Sequence, residues 1–351
     1  MRILYFGDFD PEYSRNRTII KGLREHGFEV MLCNVRAEGF QKYYSLWQEH
    51  QNLKNAYDAL IVGYTDSRWM TLLARMISRR VVIWDGFFSI YDSWVFDRKL
   101  VAPGSLKARW YWLLDWMNCR LADLILTDTQ AYGDYFAETF HIFREKLLRV
   151  FVGTDLDLFQ PAKTADAAQQ DSFLVHFHGN FIPLQGVQFI VEAADILRDK
   201  QIAFQIIGSG QTFPEIMKKA EALQLKNISF IPRVPLHELP LYMRRAHICL
   251  GIFGDTQKAQ RVIPNKAYET IASAKALISA DTPAMRELFT ARENILFCKA
   301  GNAHDLAQKI LELKENPELR DHIAQGGYVL YNEKALPGQV VMPLVKFLKS
   351  L

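Results

Sequence analysis

Short apolar runs alternate with stretches of helical periodicity along the whole chain. The runs Arg2–Phe6, Glu29–Asn34, Ala59–Val62, Val81–Trp84, Leu124–Thr127 and Leu148–Val152 read as strands. Each is followed by a segment with apolar residues at 3.6-residue spacing, such as Thr18–Glu25 and Thr71–Ile77. Strands of this kind, alternating with helices, predict a parallel, doubly wound sheet. The alternation breaks at QPAKTADAAQQ, residues 160–170, which is polar, small and aperiodic. It then starts afresh with strands at Phe173–His178, Ala203–Ile207, Ile228–Ile231, Ile248–Ile252, Ala276–Ser279 and Ile295–Phe297. The pattern predicts an N-terminal Rossmann-like domain over 1–160, a linker over 161–170 and a second Rossmann-like domain over 171–337. Two such domains in tandem would face each other across a cleft at the carboxyl ends of their strands. The tail, 338–351, carries the stripe Val341, Leu344, Val345, Leu348 and Leu351 and predicts a helix that packs back, toward the first domain.

Composition narrows the function classes. A net charge of +3 over 351 residues gives no broad basic footprint of the kind nucleic acid requires. The four cysteines, Cys33, Cys119, Cys249 and Cys298, lie far apart and form no metal-type spacing, which suits a reducing compartment. The chain opens directly on an apolar strand, and no window reaches the ~20 apolar residues a membrane span needs. The expectation is a cytoplasmic protein.

The most informative stretch is RVIPNKAYETIASAKALISADTPAMREL, residues 261–288. Pro264 marks a helix onset and Asn265–Ser273 reads as the helix. Its first-turn amides and dipole offer an anion site, to which Arg261 and Lys266 add formal charge. Glu269 follows Lys266 by three residues on the same face, placed to accept hydrogen bonds from ribose hydroxyls beyond a phosphate. An ordinary i,i+3 surface ion pair is the plain alternative.

This segment resembles the signature of family 4 glycosyltransferases of the GT-B fold, a Glu-x7-Glu motif running into such a helix. Glu269 matches the second glutamate, which the resemblance implies binds the donor ribose, while Arg261 stands where the first would be. HFHGNFIPLQGVQFIVEAADIL, residues 176–197, resembles the strand, phosphate loop and helix that open the family's donor domain. Gly179 and Gly186 are kept, but the family's phosphate-binding Arg and Lys fall on Asn180 and Gln185. Arg261 and Lys266 are expected to supply the positive charge lost there. VGTDLDLFQP, residues 152–161, resembles the family's hinge, and IIGSGQ, residues 206–211, its glycine-rich turn, which brings Gly208 and Gly210 into the donor site.

The resemblance implies a retaining, metal-independent transfer from a nucleoside diphosphate sugar to a glycan or glycolipid hydroxyl, without a cofactor. Catalytic candidates are Asp85, Arg261 and Lys266. Donor-binding candidates are Gly7, Asp8, Gly179, Asn180, Gln185, Gly208, Gly210, Arg261, Ile263, Pro264, Asn265, Lys266 and Glu269. Asp92, Asp97 and Arg98, in a loop after the fourth strand, are acceptor candidates, with Asp97–Arg98 readable as a structural pair. His176 and His178 sit at i,i+2 on one strand face and read as satisfied core or cleft histidines rather than metal ligands. On the predicted helix around residue 112, Leu106, Trp110, Leu113 and Met117 lie opposite Ala108, Trp112, Trp116 and Arg120. Packing of that helix on the sheet is the first expectation, and peripheral contact with the inner face of a membrane, through Lys107 and Arg109, the second. Rival readings are a GT-B sugar-nucleotide epimerase and a non-catalytic nucleotide-sugar-binding protein.

Overall fold

The structure, a computed structural model, describes residues 1–155, 157–161 and 172–351. The linker expected over 161–170 lies outside the described residues but for Pro161. The chain divides into two compact units, Met1–Gly153 with Leu336–Leu351, and Thr154–Ala335.

In the first unit, strands and helices alternate: β1 (Arg2–Gly7), α1 (Ser14–Glu25), β2 (Glu29–Asn34), α2 (Gln41–Leu53), β3 (Ala59–Val62), α3 (Met70–Ile77), β4 (Val81–Asp85), α4 (Leu106–Leu121), β5 (Leu124–Thr127), α5 (Gln130–Phe140) and β6 (Leu147–Arg149). The sheet is parallel, in the order β2-β1-β3-β4-β5-β6. Both parities of each inner strand are apolar because helices cover both faces. Ile3, Tyr5 and Ile61 enter one core, and Leu4, Phe6 and Leu60 the other. The helix Met342–Lys349 buries Leu344, Val345 and Leu348 in the core that holds Ile3 and Ile19, while Leu351 is exposed.

Two local features depart from the sequence-based expectations. The last strand of this sheet ends at Arg149 rather than Val152, because the carbonyls of Val150 and Phe151 turn to accept the Arg15 guanidinium. Asp92–Asp97 is a buried π-helical turn and not a loop, with the Arg98 amide donating to the Ser93 carbonyl at 2.9 Å. Helix α4 packs on the sheet as expected, with Cys119 in, and Trp112 and Trp116 against, the core that holds Leu60 and Ile125, and on its other face Leu106 is 84%, Trp110 46% and Leu113 42% exposed. No helix among the described residues is long and apolar enough to cross a membrane.

The second unit repeats the scheme with β7 (Phe173–His178), α6 (Val187–Ile196), β8 (Ile202–Ile207), α7 (Phe213–Ala222), β9 (Ile228–Ile231), α8 (Leu239–Arg245), β10 (Ile248–Leu250), α9 (Asn265–Ala272), β11 (Ala276–Ala280), α10 (Pro283–Arg286), β12 (Leu296–Cys298), α11 (Ala303–Glu315) and α12 (Pro317–Leu330). Its parallel sheet runs β12-β11-β10-β7-β8-β9, so the strand order reverses between β7 and β10. In a doubly wound sheet the carboxyl ends of the strands at such a reversal are where ligands bind. The loop after β7 and the helix after β10, α9, both start there.

Candidate functional site

β7 is followed by Gly179, whose φ of +152° lies where L side chains are strained. The chain then runs through Asn180, which is exposed, to Gly186 at φ +66°, the start of α6. A second loop follows β8 and is laced to the first. The Gly179 amide donates to Ile207 O at 3.0 Å and the Phe181 amide to Ser209 O at 2.8 Å. A Cβ on Gly208 would overlap the Gly179 carbonyl, and one on Gly210 would meet Phe181 N at 2.7 Å. The glycines are therefore required by close backbone approach, a reason independent of any ligand. Gln185 is fixed from the other side, its carbonyl accepting from the Phe253 amide at 3.0 Å.

Helix α9 delivers the charged groups. Pro264 is its N-cap, with φ −70° and ψ 147°, and the helix begins at Asn265, as the sequence implies. Among the described residues no side chain caps this end. Ile263 and Pro264 are buried and Asn265 half-buried. Lys266 and Glu269 are each 4% exposed. A surface ion pair is thereby ruled out: α9 is buried on every side, and charged groups there need specific partners.

Lys266 Nζ donates to Gln185 Oε1 and lies 3.6 Å from the centroid of the Phe177 ring. A Cβ on Gly179 would stand 2.7 Å from it. The ammonium thus reaches from α9 to the β7 loop, against the neutral residue Gln185. Burial pulls its pKa well below the usual lysine value, with the nearby Glu269 carboxylate partly opposing that shift. Glu269 Oε2 accepts from His178 Nε2 at 2.6 Å. His178 Nδ1 meets His176 Nε2 at 2.9 Å, and His176 Nδ1 meets Gln205 Nε2 at 3.0 Å. The i,i+2 spacing identified the histidines as neighbours. Their link to Glu269, 91 residues away, had no sequence signal. Arg261 is half-buried in a 3-10 turn, Ala259–Arg261, just ahead of α9.

The candidates in the first unit do not converge. Asp85 is corrected from a catalytic to a structural position. Its side chain is fully buried and takes Arg15 Nε at 3.2 and 3.1 Å and a terminal guanidinium nitrogen at 3.0 Å, which leaves it no open face for a substrate. Asp8 follows Gly7 at the end of β1 and pairs with Lys42 at 2.7 Å and with the hydroxyls of Thr65 and Ser67. Burial alone would raise its pKa, but those hydrogen bonds hold it below the usual aspartate value. Asp92 and Asp97 are buried in their π-helical turn, so the expectation of an open acceptor loop fails for them. The Asp92 amide donates to Ser89 Oγ at 3.0 Å, and Arg98 is half-buried beside the turn.

Comparison with known proteins fits this geometry. The family model described as glycosyl transferases group 1 matches residues 160–329. An uncharacterized glycosyltransferase of Methanocaldococcus jannaschii is 27% identical over 158 residues, which cover 43% of this chain and 41% of that protein. The chain thus spans less than half of that relative's length. Among solved structures, Anabaena HepE in complex with UDP-glucose aligns over all of both chains, with a TM-score of 0.77 at 15% identity. Sucrose-phosphate synthase from Thermosynechococcus elongatus aligns over 99% of this chain and 98% of its own, with a TM-score of 0.77 at 13% identity. The chain has the GT-B fold, and residues 160–329, within its second unit, match the model of the glycosyl transferases group 1 family.

Proposed function

We propose that this chain is a retaining glycosyltransferase of the family 4 type, moving a sugar from a nucleoside diphosphate sugar to an acceptor hydroxyl in glycan, glycolipid or polysaccharide synthesis. The observation that carries this reading is Lys266, a buried ammonium held by an amide oxygen at the glycine loop of β7. The diphosphate would bind there, against the first-turn amides of α9 and the charge of Arg261. Gly208 and Gly210 would flank the base, and Glu269 would accept from the ribose hydroxyls. In the transfer the bond between the sugar's anomeric carbon and the diphosphate breaks, and the acceptor oxygen bonds to that carbon on the same face. The acceptor's proton passes to the departing phosphate oxygen. The protein's task is then to stabilise charge that grows on the leaving group, for which cations and amides suffice and no protein nucleophile is needed. Arg261 in place of a first glutamate is compatible with that chemistry. No metal or cofactor is assigned a role.

HepE was solved with UDP and with UDP-glucose, which supports a uridine nucleotide as the first donor to try. A thermal-shift screen against UDP, GDP, ADP and dTDP and their sugars tests the reading. One nucleotide at 100 times its dissociation constant should stabilise the protein by about 2.7 kcal/mol, and its sugar should be transferred to a lipid or saccharide acceptor. No shift with any of the four would refute the donor assignment.

The exposed face of α4 supports a membrane-linked acceptor. Leu106, Trp110 and Leu113 stand in the open beside exposed Lys107 and Arg109, and the helix's only acidic residue, Asp115, is buried. An apolar stripe edged by cations alone suits an anionic bilayer surface. The protein should co-sediment with vesicles containing anionic lipid, and Trp110→Glu should abolish this. Equal recovery of both proteins in the supernatant would contradict it.

A further inference from the structure

The polar line Gln205–His176–His178–Glu269 has no evident purpose as packing. It occupies the interior of a sheet whose other buried strand positions, Ser279 apart, are apolar, and His176 and Gln205 are cross-strand neighbours in the β7–β8 register. Every ring nitrogen in it is paired. Its hydrogen placement follows from one end. The Glu269 carboxylate can only accept, so His178 Nε2 carries a hydrogen. In a neutral ring His178 Nδ1 is then bare and accepts from His176 Nε2–H, and His176 Nδ1 is bare and accepts from the Gln205 amide. Burial, then the proximity of His178 and Lys266, pushes the His176 pKa well down, consistent with a neutral ring. Each group donates toward Glu269. Among the described residues the hydrogen bonds of that carboxylate fall on Oε2 alone.

We infer that His178, backed by His176 and Gln205, is a positioning residue that fixes the Glu269 carboxylate so that its other oxygen meets the donor ribose, and so sets selectivity for ribo- over deoxyribonucleotides. The inference rests on the reading of Glu269 as the ribose acceptor. A short glutamate–imidazole bond removes the carboxylate's rotational freedom, and a fixed acceptor discriminates a hydroxyl from a hydrogen better than a swinging one.

The test compares the dissociation constant of UDP, GDP or ADP, whichever binds most tightly, with that of its 2′-deoxy counterpart by calorimetry. The wild-type protein should prefer the ribonucleotide by about tenfold or more, the loss expected when a buried acceptor is left without its hydroxyl. His178→Phe should bring that ratio to within about twofold of unity, while inorganic pyrophosphate binds to it as to the wild type. His178→Gln, which keeps an N–H at a similar reach, should restore the ratio. If His178→Phe does not fold, His178→Asn, polar but too short to reach Glu269, takes its place. Two outcomes overturn the inference in distinguishable ways. If Glu269→Ala collapses the ratio and the His178 variants keep it, His178 does not position the carboxylate. If Glu269→Ala keeps the ratio, the ribose reading of Glu269 is itself wrong.

Discussion

In the first unit the buried guanidinium of Arg15 is answered by the carboxylate of Asp85, whereas in the second the buried ammonium of Lys266 is held by a neutral amide and an aromatic face. Both cations sit near the carboxyl ends of parallel strands, where doubly wound sheets place their chemistry. The Arg15–Asp85 pair closes on itself: with Val150 and Phe151 also accepting, it fastens α1, β4 and the chain after β6. Lys266 is held by the amide oxygen of Gln185 and Glu269 by the imidazole of His178, so the two charges are positioned without being bonded to one another. A neutral support holds a charge in place and leaves it available to a ligand. A countercharge consumes it. Exposure does not separate the two arrangements, since all four groups are almost wholly inside; what holds each charge does.

Substitutions at the two cations should differ in sign. Arg15→Met strands the Asp85 carboxylate in the interior and frees two backbone carbonyls. It should cost about 3–5 kcal/mol of stability, read as a large fall in the denaturation midpoint of the first unit. Lys266→Met goes the other way. It replaces a desolvated ammonium by an apolar chain of similar length, over the face of Phe177, and should raise the stability of the second unit by on the order of 1 kcal/mol. If Lys266→Met destabilised the protein as severely as Arg15→Met, the two buried cations would share one structural role and the contrast would fail.

Much of the architecture was legible because parallel strands covered on both faces are apolar at every position, which local pattern reveals. The twelve strands among the described residues follow from this, with boundaries shifted where a side chain intervenes, as Arg15 does after β6. The elements of the second-unit site were legible for a related reason: a proline at a helix onset, a charged pair at i,i+3 and glycines after strands are local marks. What they touch was not. The carboxylate Asp85 looked open to substrate because nothing nearby pairs with it, and its partner Arg15 lies 70 residues away in sequence. The Asp92–Asp97 segment has too little 3.6-residue periodicity to read as helical, since its hydrogen bonds skip to the fifth residue, as from Arg98 to Ser93. Gln185 is neutral where the resemblance places a lysine, and only the fold brings Lys266, from 81 residues on, against it.

The measurement that bears most directly on this account is the affinity of Lys266→Met for the nucleoside diphosphate that the wild-type protein binds, by calorimetry on the folded variant. Loss of a charge-assisted contact to the diphosphate should weaken binding by about 1.5–3 kcal/mol, roughly ten- to a hundredfold, in a protein no less stable than the wild type. Unchanged affinity in a folded Lys266→Met protein would mean that the diphosphate docks elsewhere.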